Sequence, residues 1–551
     1  MSETRELTEM VTLTIDGQEV TVPKGTTILQ AAELLGNRVP HYCYHPGLSR
    51  PAQCRLCLVE VEGMPKMLPS CVTTVMPGQV VHTESEKARE QRQGVLEFYL
   101  ANHPLDCPIC DQSGECKLQD YVHAEGRDHG RSREPKRVFG RDDFGGDVLF
   151  YGDRCVMCTR CVRFMNEMAQ DPRLTVVERG NRSIIDTFFE EGLHGSPYAG
   201  NVVDICPVGA LVSKDFLHKA RAWDLDHTPS ICPNCSQGCN IELHVRDNLV
   251  QRLKPRENAE VNQFWMCDYG RNRYEGLNRG GRVTHPGLSS RWAALGGEGE
   301  GATRPETEGA LLDAAALRLQ KAASAGGVHA VASPFSSNED LAALRRLVDA
   351  LGGGVIEFRV PMAEDEIPLP GFPKLRRRRE LAPNGTAADR LGMVRVGEAD
   401  GAGGLDTAQR ASGVLLVLGD SLSDASPEFG SSAGMFVHLA VHADGDATPD
   451  LVFPLLTFAE TEGSFTNFEG RVQRFWPGLQ GPELARPGWW ILSELTARVG
   501  GGSAPSDVRG AFEAAKSVFP GLAGLVWEQL GLGGSPLAAE AALAGSRGGE
   551  G

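Results

Sequence analysis

Fifteen cysteines fall within the first 267 residues of the chain, and none in the 284 that follow. No other feature constrains the fold as much. A chain without a secretory leader rarely builds many disulfides, so clustered cysteines read first as metal ligands. An odd total also fits poorly with complete pairing. It fits well if one ligand set uses a residue other than cysteine. The opening segment, MSETRELTEM, is polar and acidic, unlike a signal peptide or an arginine-rich transit peptide. No stretch approaches the roughly 18–20 unbroken apolar residues of a membrane span, and the chain reads as soluble and cytosolic. Its net charge of −17 argues against a nucleic-acid partner, which calls for a basic face. A length of 551 residues predicts several domains.

The cysteines sort into four sets. Cys43, Cys54, Cys57 and Cys71 are spaced C-x10-C-x2-C-x13-C, just after a hairpin and a helix. That placement suits a [2Fe–2S] site, although the first gap is longer than in plant-type ferredoxins. A zinc ribbon wants two CxxC pairs, and only one is present. The second set is HPLDCPICDQSGEC, with Cys107, Cys110 and Cys116. A [4Fe–4S] cube needs a fourth ligand. His103, four positions before Cys107, can supply an imidazole nitrogen, as histidines do in Rieske centres. Taken alone, this stretch also admits a bystander histidine or a Cys3His zinc site. The third set, Cys155, Cys158, Cys161 and the distant Cys206-Pro207, carries the C-x2-C-x2-C…C-P signature of a [4Fe–4S] ferredoxin. The fourth set, Cys232, Cys235, Cys239 and Cys267, suits another cube, with zinc as the alternative. Three sets of four and one of three account for all fifteen cysteines, and the short set has a histidine at a suitable place. Arg55, Gln112 and Arg160 are candidate donors to cluster sulfurs, or ordinary loop residues facing water.

Periodicity organises the rest. VTLTI, Asp16-Gly17 and EVTV predict a β-hairpin, and residues 27–35 a short helix stopped near Gly36. Residues 86–100 read as helix and the charged, glycine-rich residues 125–150 as loop. GGEGEGATRPETEG at 296–309 is a linker; it matches GxGxxA, but no strand precedes it. Beyond it, strands at 327–333, 354–358 and 413–420 alternate with a capped amphipathic helix at 337–352, which predicts α/β layers on a parallel sheet. The run Arg376–Arg379 reads as a solvated loop.

HYCYHPGLSRPAQCRLCLVEVEG, HPLDCPICDQSGECKLQDY, RCVMCTRCVRF and NVVDICPVGAL resemble the large iron–sulfur subunit of respiratory complex I, NADH:quinone oxidoreductase (the G subunit in bacteria, the 75 kDa subunit in mitochondria). The resemblance covers about residues 10–280. It implies one [2Fe–2S] and three [4Fe–4S] clusters on the four sets, His103 as a ligand, and a multidomain α+β and α/β chain. The implied domains are a β-grasp [2Fe–2S] ferredoxin-like domain (1–88), a His/Cys3 domain (89–130), a [4Fe–4S] ferredoxin-like domain (131–225), and a molybdopterin-oxidoreductase-type [4Fe–4S] domain (226–285). A shortened molybdopterin-oxidoreductase-like α/β domain (286–535) and a disordered tail (536–551) follow. The segment TPDLVFPLLTFAETEGSFTNFEGRVQ (448–473) carries the resemblance of the α/β domain; only 284 residues follow Cys267 and none is a cysteine that could ligate molybdenum, so a shortened, inactive relic without molybdopterin is expected, with a Ser or Asp ligand as the open alternative.

The implied function is electron transfer from an NADH/FMN partner subunit toward quinone. Electrons enter at the [2Fe–2S] site, pass to the Cys155 and His103 sites, and leave through another cluster-bearing subunit. The fourth set lies off that route. The chain itself is expected to hold no NADH site and to sit at the cytoplasmic face of the bacterial inner membrane through partner subunits alone. The competing readings are an iron–sulfur subunit of an NAD-linked hydrogenase, a formate dehydrogenase, and a zinc scaffold with no redox role.

Overall fold

A computed structural model describes residues 9–295, 307–397 and 404–538. Most of the expected linker, residues 296–306, and the end of the expected tail, residues 539–551, lie outside the described residues. The chain divides into two compact units, residues 1–225 with 369–373, and residues 226–368 with 374–551.

The first unit begins with the expected hairpin. Met10–Ile15 pairs antiparallel with Gln18–Pro23, joined at Asp16 and Gly17, both at positive φ (47° and 81°). That is the backbone a two-residue hairpin turn demands. The Asp16 carboxylate also accepts from Thr83 N and Oγ1, at 2.7 and 2.6 Å. Five strands form the sheet, in the order Gln18–Pro23, Met10–Ile15, Val80–His82, Leu58–Val61, Leu68–Pro69, with Met10–Ile15 and Val80–His82 parallel. Helix Ile28–Leu34 starts in a capping box between Thr27 and Gln30. Its buried Ile28, Leu29, Ala31 and Ala32 pack with Val11, Leu13 and Ile15 to give a β-grasp core. Helix Glu86–Asn102 follows, capped by Ser85.

Residues 125–150 differ from the loop expected for them. Arg141–Asp143 and Val148–Tyr151 are strands of a three-stranded sheet completed by Leu211–Ser213. Gly145 and Gly146, at φ 85° and 56°, turn the chain between the first two. Arg141–Asp143 is fully exposed and polar, so it shows no alternation, and pairing rather than burial makes it a strand.

The second unit opens with an antiparallel sheet of Asp226–Ile231, Asn240–Arg246 and Leu249–Pro255. Its main sheet has seven strands, in the order Gly287–Leu288, Leu451–Pro454, Met435–Ala440, Val414–Leu418, Val328–Ala332, Gly354–Phe358, Val394–Arg395. All pairs are parallel except the first. Both faces are covered: Val414, Leu416 and Leu418 join the core under helices Glu308–Gly326, Asn338–Ala350 and Gly488–Gly500, while Leu415 and Val417 pack with Phe429 and Phe436. Burial on both faces produces the continuous apolar run at 413–418.

The arginine run is not a solvated loop. Strand Phe372–Arg377 pairs with Ile367–Leu369 in a two-stranded sheet. Arg376 and Arg378 pair with Glu366 at 3.0 and 3.5 Å, and Arg378 lies 3.4 Å over the Phe468 ring and donates to Gln237 at 3.0 Å. Glu366, just before the partner strand, thus meets two of the four arginines, while Arg377 and Arg379 donate to the Asp365 and Ala363 carbonyls at 2.6 and 3.3 Å.

Candidate metal centres

The first set sits on loops beside the β-grasp sheet. Cys43, Cys54, Cys57 and Cys71 are each 3 % exposed or less. Cys54 lies within hydrogen-bonding reach of Cys43 and Cys57, and Cys71 of the same two. Ala52 and Arg55 adopt positive φ (53° and 57°), which curls the loop around Cys54. The Cys54 sulfur, with burial, pushes the Cys57 thiol up to about 11. Four crowded thiols, with the Tyr42 N–H donating to Cys54 Sγ at 3.5 Å, satisfy one another poorly as S–H groups. As thiolates around iron they are satisfied, which is the donor chemistry a [2Fe–2S] cluster requires.

His103 ends helix Glu86–Asn102, its N–H donating to Tyr99 O at 3.2 Å. Cys107 opens a tight turn, and Cys116 precedes helix Lys117–Glu125. His103, Cys107, Cys110 and Cys116 line one cavity of about 610 Å³ with Asp106 and Arg154. Burial, then the nearby Arg154 charge, lowers His103 to about 4, so its imidazole is neutral at pH 7 and offers a lone pair, as a metal ligand must. A Cβ at Gly209 would stand 2.1 Å from Cys110 Sγ, so only glycine leaves that sulfur its place. Cys107 is exposed, whereas Cys110 and Cys116 are buried.

Cys155, Cys158, Cys161 and Cys206 line a cavity of about 330 Å³ whose remaining walls include Phe150, Val156, Ile185, Val208 and Leu211. Met157 and Thr159 take left-handed backbone (φ 49° and 59°), unusual for such side chains. These two residues turn the C-x2-C-x2-C loop so that all three sulfurs reach the cavity. Helix Arg160–Arg163 runs on into a π-turn, Phe164–Met168. Burial pushes the Cys158 thiol up to about 11 and raises Cys155, Cys161 and Cys206. Four thiols gathered on one mostly apolar cavity are a donor set of the kind a [4Fe–4S] cube takes.

In the second unit Cys232, Cys235, Cys239 and Cys267 are 3–6 % exposed. The Cys232 N–H donates to Cys239 O at 2.8 Å, which closes the loop between two strands. A Cβ at Gly270 would meet Cys232 Sγ at 2.9 Å and Cys267 Sγ at 3.7 Å, so both sulfurs crowd one point. Burial pushes Cys232 up to about 12.

Of the three candidate polar donors, Arg55 faces solvent and Gln112 spends its amide on Glu115 O at 3.1 Å; only Arg160 is buried among a ligand set. Sequence reasoning missed Arg163, whose Nη2 donates to Cys43 O at 2.5 Å and to Cys158 O at 3.3 Å, tying the first ligand loop to the third. It also missed Tyr42, buried against the rings of Tyr99 and Tyr121 at 5.1 and 5.5 Å. Nothing in their spacing distinguishes these residues from ordinary loop and core positions.

His227, Glu242 and His244 also bring ligand atoms within 4.8 Å of one another. Arg252 Nε donates to His244 Nδ1 at 3.1 Å, which places the His244 proton on Nε2, facing Glu242 at 3.3 Å. A metal-bound histidine donates from its second nitrogen; this one accepts there, so the group is a hydrogen-bonded cluster.

A cavity of about 1400 Å³ opens at the carboxyl ends of the parallel strands, lined by Ser333, Ser337, Asp340, Gly419 and Arg273 among others. The first amides of helix Asn338–Ala350 are capped from within by Ser337, and Asp340 returns to the Ser337 N–H at 3.1 Å. A phosphate approaching there meets a buried acid in place of free N–H groups, and no cysteine lines the cavity.

Comparison with known proteins follows the same order along the chain. A 2Fe-2S iron-sulfur cluster binding domain matches residues 8–86, and an NADH-ubiquinone oxidoreductase-G iron-sulfur binding region matches 92–131. Residues 145–212 match the ferredoxin-like domain of NADH-quinone oxidoreductase subunit 3. The G subunit of NADH-quinone oxidoreductase from Rickettsia bellii is 45 % identical over 269 residues, 49 % of this chain and 39 % of that protein. The chain is a homologue of this large iron–sulfur subunit. The mitochondrial 78 kDa subunit of NADH-ubiquinone oxidoreductase from Candida albicans is 42 % identical over 62 % of this chain and 46 % of its own length. The chain thus spans less than half the length of these two relatives. The Fe4S4 domain of molybdopterin oxidoreductases matches residues 225–279 and a molybdopterin oxidoreductase model matches 383–498, so this homologue of the large iron–sulfur subunit carries a molybdopterin-oxidoreductase-like α/β domain. A solved structure of an NAD+-reducing [NiFe]-hydrogenase is 31 % identical over 38 % of this chain and 90 % of its own, with a TM-score of 0.35.

Proposed function

We propose that the chain is an electron-transfer subunit of a proton-translocating NADH:quinone oxidoreductase. In this reading it links a partner that oxidises NADH at FMN with cluster-bearing partners that lead to quinone. It holds one [2Fe–2S] cluster on Cys43, Cys54, Cys57 and Cys71. Three [4Fe–4S] clusters sit on His103 with Cys107, Cys110 and Cys116, on Cys155, Cys158, Cys161 and Cys206, and on Cys232, Cys235, Cys239 and Cys267. When bound, such clusters take up and release single electrons at potentials tuned by burial, charge and hydrogen bonding.

The observation that carries the reading is the closure of the donor sets. Fifteen cysteines and one neutral histidine fall into four groups of four, and only Cys107 among the thiols is exposed. The chain's own residues then do three things. Phe150, Val156, Ile185 and Leu211 give the third site apolar walls. Gly209 and Gly270 leave room for sulfur. Arg163 fixes the first and third ligand loops together. No helix among the described residues is long and apolar enough to cross a membrane; the reading places the chain at the cytoplasmic face, attached through partner subunits.

Iron and sulfide analysis with low-temperature EPR on anaerobically purified protein tests the reading. It expects about 14 irons per chain, from one [2Fe–2S] and three [4Fe–4S] clusters. Zinc in place of iron, in protein never exposed to air, would sink it, and near-stoichiometric molybdenum would favour a formate dehydrogenase.

A further inference from the structure

Arg160 is 4 % exposed. Its Nη1 donates to Ile205 O at 3.1 Å and its Nη2 to Tyr44 O, both backbone carbonyls. Its Nε is buried and has no acceptor, and no carboxylate pairs with the guanidinium among the described residues. A guanidinium withdrawn from water without a counter-charge is strongly unfavourable. The side chain lines the cavity of Cys155, Cys158, Cys161 and Cys206, whose other walls are mostly apolar. The anions within its reach are therefore the thiolates and the cluster they hold. Its charge opposes the effect of burial at Cys158 and at Cys206. Arg154 at the second site offers a contrast, since it is as buried but pairs with Asp106 at 3.0 Å.

We propose that Arg160 is a positioning residue that sets the reduction potential of the third site, its unpaired guanidinium favouring the reduced state while its fork ties the loops behind Cys43 and before Cys206. The inference rests on reading those four cysteines as ligands of a [4Fe–4S] cluster. Reduction adds one electron, from dithionite in the test, and takes the cluster with its four thiolates from two net negative charges to three. The positive charge beside the site meets the added negative one, so the reduced state gains more from Arg160 than the oxidised state does.

The experiment is a mediated redox titration of the full chain, followed by EPR, in wild type, Arg160→Gln and Arg160→Lys. At the wild-type midpoint, Arg160→Gln is expected to lower the reduced-to-oxidised ratio at least tenfold, about 59 mV for one electron. Arg160→Lys keeps the charge and should stay within about threefold of wild type. A purely structural role predicts no such rescue, and an Arg160→Gln ratio within threefold of wild type overturns the proposal. Should Arg160→Gln fail to keep its iron, arginine labelled with nitrogen-15 decides in the wild-type chain. A nitrogen coupling on the third-site signal, abolished in Arg160→Lys, supports the proposal; its absence overturns it. If Cys206→Ala removes no iron, the reading of the site fails and the proposal with it. If that variant loses iron while Arg160→Gln leaves the potential unmoved, only the part given to Arg160 fails.

Discussion

The Cys155 and His103 cavities belong to the same unit and offer four donors each, but they treat charge and water in opposite ways. The Cys155 cavity is small and walled by apolar side chains, and its four donors are all thiols. The His103 cavity is nearly twice as large, one of its thiols is exposed, and one donor is a neutral imidazole. Adding an electron to a buried, all-thiolate site is penalised by desolvation. Arg160 offsets that penalty at the first of these sites. At the second, a neutral imidazole would, in the proposed reading, stand where a thiolate otherwise does, and the buried arginine there is paired with Asp106. The pair teaches that a fold can moderate the charge of a buried centre either with a cation or with a neutral ligand.

The largest effects come from breaking each site outright. Cys206→Ala should lower the iron content by about four per chain, because a dry cavity has no water to replace the missing thiolate. His103→Ala should lower it by less, since solvent can reach the open position. Equal losses in the two variants, measured by iron analysis of anaerobic protein, would remove the distinction between a closed and an open site.

A subtler change exchanges the ligand type. His103→Cys should keep the iron and lower the second-site midpoint, by an amount of order 100 mV, since replacing thiolate by imidazole raises potentials in Rieske centres. The same residue gives the two sites different responses to acid. Burial lowers His103 from 6.5 to about 4 in the folded chain. Between these values the unfolded chain binds a proton that the folded one does not, so this residue's contribution to stability falls as pH drops from 6.5 to 4. Its lone pair is lost as pH falls through about 4. Protons compete with iron for that imidazole, so acid should release iron from the second site, and His103→Cys should alter the profile while leaving the third site's unchanged. A second-site profile identical in wild type and His103→Cys would show that the histidine does not hold iron.

Much of this was legible in the sequence because ligand chemistry belongs to residue type. The donors could be grouped from spacing alone, and the strands at 328–332, 354–358 and 414–418 from their apolar runs. What escaped depends on partners far along the chain. Arg163 matters because Cys43 O and Cys158 O converge on it. Met157 and Thr159 take left-handed backbone because the sulfurs must face one point, and no local preference of these residues announces it. Arg376–Arg379 read as solvated because Glu366, the counter-charge of Arg376 and Arg378, leads into a neighbouring strand whose pairing was not foreseen. Strand Arg141–Asp143 has no buried face to leave an apolar pattern, although Gly145-Gly146 was a hairpin signal that could have been read.

The smallest change sharpens the comparison most directly, because it makes the second site resemble the third. Asp106→Asn removes the counter-charge of Arg154 but keeps a polar group of the same shape. The guanidinium is then left buried with neutral acceptors alone, the new amide oxygen and the Gly209 carbonyl at 3.5 Å, beside the Tyr151 ring 4.0 Å away. Exchanging a charged acceptor for a neutral one should cost about 1 kcal/mol of stability, seen as a lower midpoint in denaturant. The uncompensated charge should also raise the second-site potential, by less than the Arg160 substitution lowers that of the third, since Asp106 is 35 % exposed and solvent already screens part of its charge. If Asp106→Asn costs stability but leaves the potential fixed, the Arg154–Asp106 pair is a structural tie. The charge argument would then hold for the closed site alone. If the potential rises, both cavities obey one rule, in which the balance of a single buried arginine decides how readily each site accepts an electron.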